Sequence, residues 1–135
     1  MNKLTAIVEY SDNNLSAYLE EVDGIVVTGK DIETIKRSMQ EAIELTIATC
    51  KEMGCEVPRE LCGEYEITYK HDLCSFLNAY SKILSKSGLE TLTGINQKQL
   101  WHYSNGISKP RQATLDKVAT AINNFGKELS TIKFA

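Results

Sequence analysis

The chain has 135 residues, a formal net charge of −3 and a soluble protein's balance of apolar and charged side chains. That length allows one ordinary domain or two small ones, and no apolar run approaches the ~20 residues that a membrane-spanning helix needs. The charge is unevenly spread: residues 1–70 hold 7 Lys and Arg against 14 Asp and Glu, while residues 71–135 hold 8 against 4. An acidic half of −7 joined to a basic half of +4 points to a polyanion as partner for the second half only.

Residues 3–10 (KLTAIVEY) are rich in β-branched and aromatic types, and the turn formers Ser11, Asp12, Asn13 and Asn14 follow. Leu15, Ala17 and Leu19 then alternate with polar positions, so a hairpin with one buried face is expected. Gly24 opens a third apolar run, residues 25–28, closed by Gly29. Three short strands in succession predict an antiparallel meander.

Asp31 is a fitting N-cap for a helix, since its carboxylate can accept an orphan N–H of the first turn. Ile32, Ile35, Met39, Ala42, Ile43, Thr46, Ile47 and Cys50 lie at helical spacing, with Gly54 placed to end the helix. Residues 64–70 (EYEITYK) alternate again and predict a fourth strand. The expected fold class is α+β: a β-β-β-α-β two-layer domain over residues 1–70, then an all-α domain over residues 71–135.

Catalytic chemistry finds little footing. Glu9, Glu20, Glu21 and Asp23 lie on or beside strands and could hold Mg²⁺ for nuclease work. They have no motif spacing, and the plainer reading makes them the solvated face of the sheet. No Gly-rich phosphate loop, nucleophile elbow or HExxH pattern is present. Cys50, Cys55, Cys62 and Cys74 include no CxxC pair, so no zinc ribbon or thioredoxin motif is expected. A metal site from Cys50, Cys55, Cys62 and His71 is conceivable, but isolated cysteines are commonly small core residues. The reading is of a non-enzyme with no cofactor and no metal. Residues 1–10 lack a signal peptide's layout, so a cytoplasmic location without disulfides is expected.

In the basic half, Asp72 can cap a helix carrying Leu73, Phe76, Leu77, Tyr80 and Leu84, interrupted at Ser87 and Gly88. A short helix over residues 89–93 stops at Gly94. Asn96 then caps a new helix, with Gln99 completing a capping box and Ile95 and Leu100 forming a hydrophobic staple. Leu100 and Tyr103 face the core, which leaves Gln97, Lys98, Trp101, His102 and Ser104 outward. Amides and lysine suit the edges of adenine and guanine. Ser108, Lys109, Pro110 and Arg111 form a basic turn suited to phosphates. A last helix is expected over residues 112–125, stopped by Gly126, with a possible short strand over residues 131–134.

The stretch Leu92-Thr93-Gly94-Ile95 followed by QKQLWHYSNGISKP resembles the second and third helices of the phage Cro/repressor class of helix-turn-helix domain, across about residues 73–126. The resemblance implies that Gln97, Lys98 and His102 meet bases, with Gln99 and Trp101 beside them. It also implies that Ser87, Asn105, Lys109 and Arg111 meet phosphates. Two features depart from the family: bulkier Glu90-Thr91-Leu92 stands where a small residue is common, and Gln99 is engaged at the cap.

The whole layout is similar to the HicB-type antitoxins of type II toxin–antitoxin systems. In that family a degenerate RNase H-like β-β-β-α-β domain precedes a DNA-binding domain. This similarity implies a protein that neutralises a HicA-type mRNA-cleaving toxin. It also implies an autoregulating transcription repressor that binds double-stranded operator DNA as a homodimer or higher oligomer. Glu9, Glu20, Glu21 and Asp23 become candidates for meeting the basic toxin, and the C-terminal helix and tail for dimerisation. The rival readings are a stand-alone repressor with an acidic ligand- or protein-sensing N-terminal domain, and a metal-dependent nuclease.

Overall fold

A computed structural model describes all residues, Met1–Ala135. The protein is α+β, with a four-stranded mixed sheet and five α-helices. It divides into two compact units, Met1–Asp72 and Leu73–Ala135. The division falls two residues after the one drawn from the sequence. No helix is long and apolar enough to cross a membrane.

The first unit runs β1 (Asn2–Ser11), β2 (Asn14–Leu19), β3 (Val26–Gly29), α1 (Ile32–Met53), a 3₁₀ turn (Arg59–Leu61) and β4 (Tyr65–His71). Strands β1 and β2 form a hairpin in which Ser11 pairs with Asn14. Asn13 closes it at φ 60°, a left-handed conformation that asparagine tolerates better than most residues. β3 adds antiparallel to β2. β4 returns to the far side of β1 and pairs with it in parallel, Asn2 against Tyr65 through Val8 against His71. A parallel neighbour needs a long crossover, and α1 supplies it, giving the sheet order β3-β2-β1-β4.

Strand alternation sends Leu4, Ala6, Val8, Ala17 and Leu19 inward, where they meet Ile35, Met39 and Ile43 of α1. Tyr65, Ile67 and Tyr69 of β4 pack against the same core. The expected stripe on α1 is thus the buried one. Its ends are fixed by single residues: the Asp31 carboxylate accepts from Thr34 N at 2.8 Å, and Gly54 ends the helix at φ 71°.

Within this unit the single helix α1 covers one face of the sheet. The other face carries the alternate positions, which across the strands read Val26, Tyr18, Ile7 and Lys70 in register.

The second unit holds α2 (Leu73–Ala79), α3 (Lys86–Thr93), α4 (Gln97–Ser104) and α5 (Gln112–Ser130). Its core is Leu73, Leu77, Leu89, Leu100, Tyr103 and Val118, with Phe76, Leu84, Ile95, Leu115 and Ile122 against it.

Four sequence expectations are corrected here. The break between α2 and α3 lies at residues 80–85, not at Ser87 and Gly88. Ser85 takes the cap by accepting from Gly88 N at 3.0 Å, which draws Ser87 and Gly88 into the first turn of α3. α5 passes through Gly126 to Ser130. The stripe Leu115, Val118, Ile122, Phe125, Leu129 continues at helical spacing past that glycine, and one interior glycine costs only about 1 kcal/mol. Residues 132–135 form no strand, since an all-helical unit offers none to pair with. Ser104 is buried at 6 % exposure rather than outward. It follows Leu100 by four residues, so it shares the core face.

Candidate nucleic-acid interface

The corner between α3 and α4 is built by a few short-range bonds. Gly94 adopts φ 76° and donates its N–H to Glu90 O at 2.8 Å. Thr93 Oγ1 donates to Leu89 O at 2.7 Å and accepts from Ile95 N at 3.1 Å. Asn96 Oδ1 accepts from Gln99 N at 2.8 Å, which starts α4. Leu100 and Tyr103 then anchor α4 in the core, with Ile95 packed beside them.

That anchoring leaves Gln97, Lys98, Trp101 and Asn105 exposed and Gln99 and His102 half-buried. Trp101 is 51 % exposed, a large apolar surface for a helix to leave in water. Its ring lies 5.7 Å from that of His102, tilted by 59°. The first turn of α4 carries no acidic residue of its own; the negative charge that meets its positive end comes from Glu90 of α3.

Hydrogen bonds sort these side chains further. Gln97 is held by Glu90, whose carboxylate accepts from Gln97 N at 3.2 Å and from Gln97 Nε2 at 3.3 Å. Glu90 therefore orients the first side chain of α4. Gln99 does not complete a capping box. Its Nε2 donates instead to Ser108 Oγ at 3.2 Å, tying the basic turn to the flank of α4. Asn105 donates to Trp101 O at 2.9 Å and Ser104 Oγ at 3.3 Å, so its amide serves the helix end. Lys98 is left as the exposed cation of α4.

Ser87, Lys109 and Arg111 are exposed: Ser87 in the first turn of α3, Lys109 one residue beyond the Gln99–Ser108 tie, and Arg111 at the start of α5. Two contributors were not found from the sequence. Lys117 reaches back from α5, its Nζ 3.7 Å from where a Cβ on Gly94 would sit. Asn78 donates to Ser104 O at 2.8 Å and to Cys74 O at 3.1 Å, fastening α2 to the end of α4. Neither carries a sequence signal, because both act between helices.

In the first unit the four acidic candidates separate. Glu9 stands on the open sheet face, across from Ser16. Glu20 follows β2 and donates its N–H to Thr5 O at 3.0 Å. Both charges act on Tyr18 between them. The Tyr18 phenol is pushed above its ordinary pKa by desolvation first, then by Glu9, Glu20 and Asp72. Glu21 accepts from Thr5 N with both carboxylate oxygens, at 2.8 and 3.1 Å, and so prolongs the β1–β2 ladder. Asp23 is exposed beside Gly24.

Cys50, Cys55, Cys62 and His71 are not brought together, and no group of three or more His, Cys, Asp or Glu is placed to hold a metal. Cys62 directs its thiol to Pro58 O at 3.5 Å. His71 Nδ1 lies 2.6 Å from Tyr10 Oη, and its pKa is lowered by desolvation first and then by Lys36. Compared with protein-family models, curated proteins and solved structures, the chain matches none.

Proposed function

We propose that the chain is a non-catalytic regulator of the HicB antitoxin type, whose second unit binds operator DNA and whose first unit captures a basic ribonuclease toxin. The observation that carries this reading is α4: a helix capped by Asn96, with exposed Lys98 and Trp101 and a basic turn tied to its flank. A helix of this kind can enter the major groove with Lys98 toward guanine while Lys109 and Arg111 hold phosphates. Gln97, oriented by Glu90, has its amide oxygen left to accept from a base.

A homodimer fits the continuation of the α5 stripe beyond its own core. Leu129, Ile132 and Phe134 are exposed, Phe134 by 93 %, and a second copy would cover them. Two such units present their recognition helices to successive grooves, ~34 Å apart. For the first unit, the reading is supported by its −7 charge over residues 1–70 and by the open sheet face. There Val26, 65 % exposed, lies beside Tyr18 with Glu9 and Glu20 flanking. An apolar strip edged by Glu9 and Glu20, with Lys70 only at its β4 end, suits a basic protein, and the unit's net negative charge speeds encounter with it.

The test is Gln97→Ala with Lys98→Ala, assayed on DNA from upstream of the reading frame. Binding should fall by about 1–3 kcal/mol per lost base contact. A basic toxin encoded by the neighbouring frame should still copurify at wild-type yield. Wild-type-like DNA binding by the double variant, or loss of both activities, would overturn the division of roles.

A further inference from the structure

The C-terminus of α1 closes with two backbone bonds, Cys55 N to Cys50 O at 2.9 Å and Gly54 N to Lys51 O at 3.4 Å, with Gly54 left-handed. This six-to-one and five-to-two pairing is a Schellman cap. Such a cap brings a side chain of the last helical turn, here the fourth from the end, against the second side chain beyond the helix, and that contact is usually apolar. Here both positions are cysteines. The Cys55 thiol is exposed and donates to Cys50 O at 3.5 Å. Cys50 is half-buried. Its pKa is raised by a hydrogen bond with the Cys55 thiol first, then by desolvation and the Cys55 charge. The other thiols point elsewhere, Cys62 to the Pro58 carbonyl and Cys74 to Ser104 O.

We propose that Cys50 and Cys55 are a dithiol modification site, closed to an intramolecular disulfide by small disulfides of the glutathione type. In the first step the exposed Cys55 thiolate attacks one sulfur of glutathione disulfide, forming a mixed disulfide and releasing one glutathione thiolate. Cys50 then loses its proton to solvent and attacks Cys55 Sγ, releasing the second glutathione. Two protein thiols are oxidised and one small disulfide is reduced, so the electrons balance. Only the thiolate attacks. The hydrogen bond with Cys55, first, and then desolvation disfavour the Cys50 thiolate that the second step needs. Closure is therefore slow near neutrality and accelerates as pH rises. The site is independent of the DNA- and toxin-binding reading.

The experiment equilibrates the full chain with glutathione disulfide and glutathione in mildly alkaline buffer, then quenches it with acid, alkylates and digests it. Alkylation should fall from four cysteines to two, Cys62 and Cys74. The segment holding residues 50–55 should be lighter by about 2 Da, the two hydrogens lost on closure. Cys50→Ser should instead trap glutathione on Cys55. A stable glutathione adduct on wild-type Cys55, or retention of all four alkylation sites, overturns the proposal. In denaturant the preference for the 50–55 link over other pairings should drop severalfold; equal preference would mean that the cap does not create the site.

Discussion

Alanine at two glycines of the C-terminal unit should shift stability in opposite directions. At Gly94 the backbone is left-handed, φ 76°. A Cβ there would meet nothing closer than Lys117 Nζ at 3.7 Å, an ordinary contact. The penalty is then conformational alone, about 1–2 kcal/mol. Gly126 lies inside α5 with no atom within 4 Å of an added Cβ. Alanine there removes freedom from the unfolded chain at no steric cost, stabilising by about 0.5–1 kcal/mol. Urea unfolding followed by Trp101, the single tryptophan, reports on this unit. With a slope of about 1 kcal/mol per molar, the Gly94→Ala midpoint should fall by about 1–2 M and the Gly126→Ala midpoint should rise by about half as much. A neutral Gly94→Ala would refute the left-handed corner. A destabilising Gly126→Ala would restore the shorter helix that the sequence suggested.

Two other outcomes follow from the described contacts. Asn78→Ala removes the side chain that joins α2 to Ser104 O and should cost about 1–2 kcal/mol, read by the same unfolding curve. His71 has a lowered folded-state pKa, from desolvation and then Lys36, so the unfolded chain binds its proton more readily. Its contribution is fully present above the ordinary histidine value near 6.5 and is lost as pH falls from there through the lowered folded-state value. His71→Gln should therefore flatten the acid side of the stability–pH curve below about pH 6.5, and an unchanged slope would sink that assignment.

Features set by one residue or one helical period were legible in the sequence. Asp31, Gly54, Gly94 and Asn96 each fix a helix end through a bond to a neighbour a few residues away, and the α1 stripe repeats every three or four positions. The misses came where local signals compete or where partners are distant. Ser85 and Ser87 both suit a cap, and only packing selects Ser85. Gly126 reads as a stop until the apolar stripe beyond it is weighed. The place of β4 beside β1 depends on a crossover of more than fifty residues, and no local pattern encodes it. At the candidate interface, exposed Lys98 and Trp101 followed from the anchors Leu100 and Tyr103. The Glu90–Gln97 and Gln99–Ser108 bonds join side chains across a turn, so sequence spacing carried no sign of them. Glu21 resembled its acidic neighbours in sequence, yet it is bound to the Thr5 backbone.

The sheet is open at both sides, and its two borders differ. β3, at one border, is the more apolar of the two but only four residues long, ending beside Lys30. β4, at the other, is seven residues long and bears Glu66 and Lys70 on its outward positions. A foreign strand docking by backbone bonds thus finds either a short rung of sticky surface or a long one studded with charge. Colloidal behaviour at high concentration should then be set by the shorter border. A lysine in place of Val26 would be the first substitution to make if the protein were to be kept in concentrated solution.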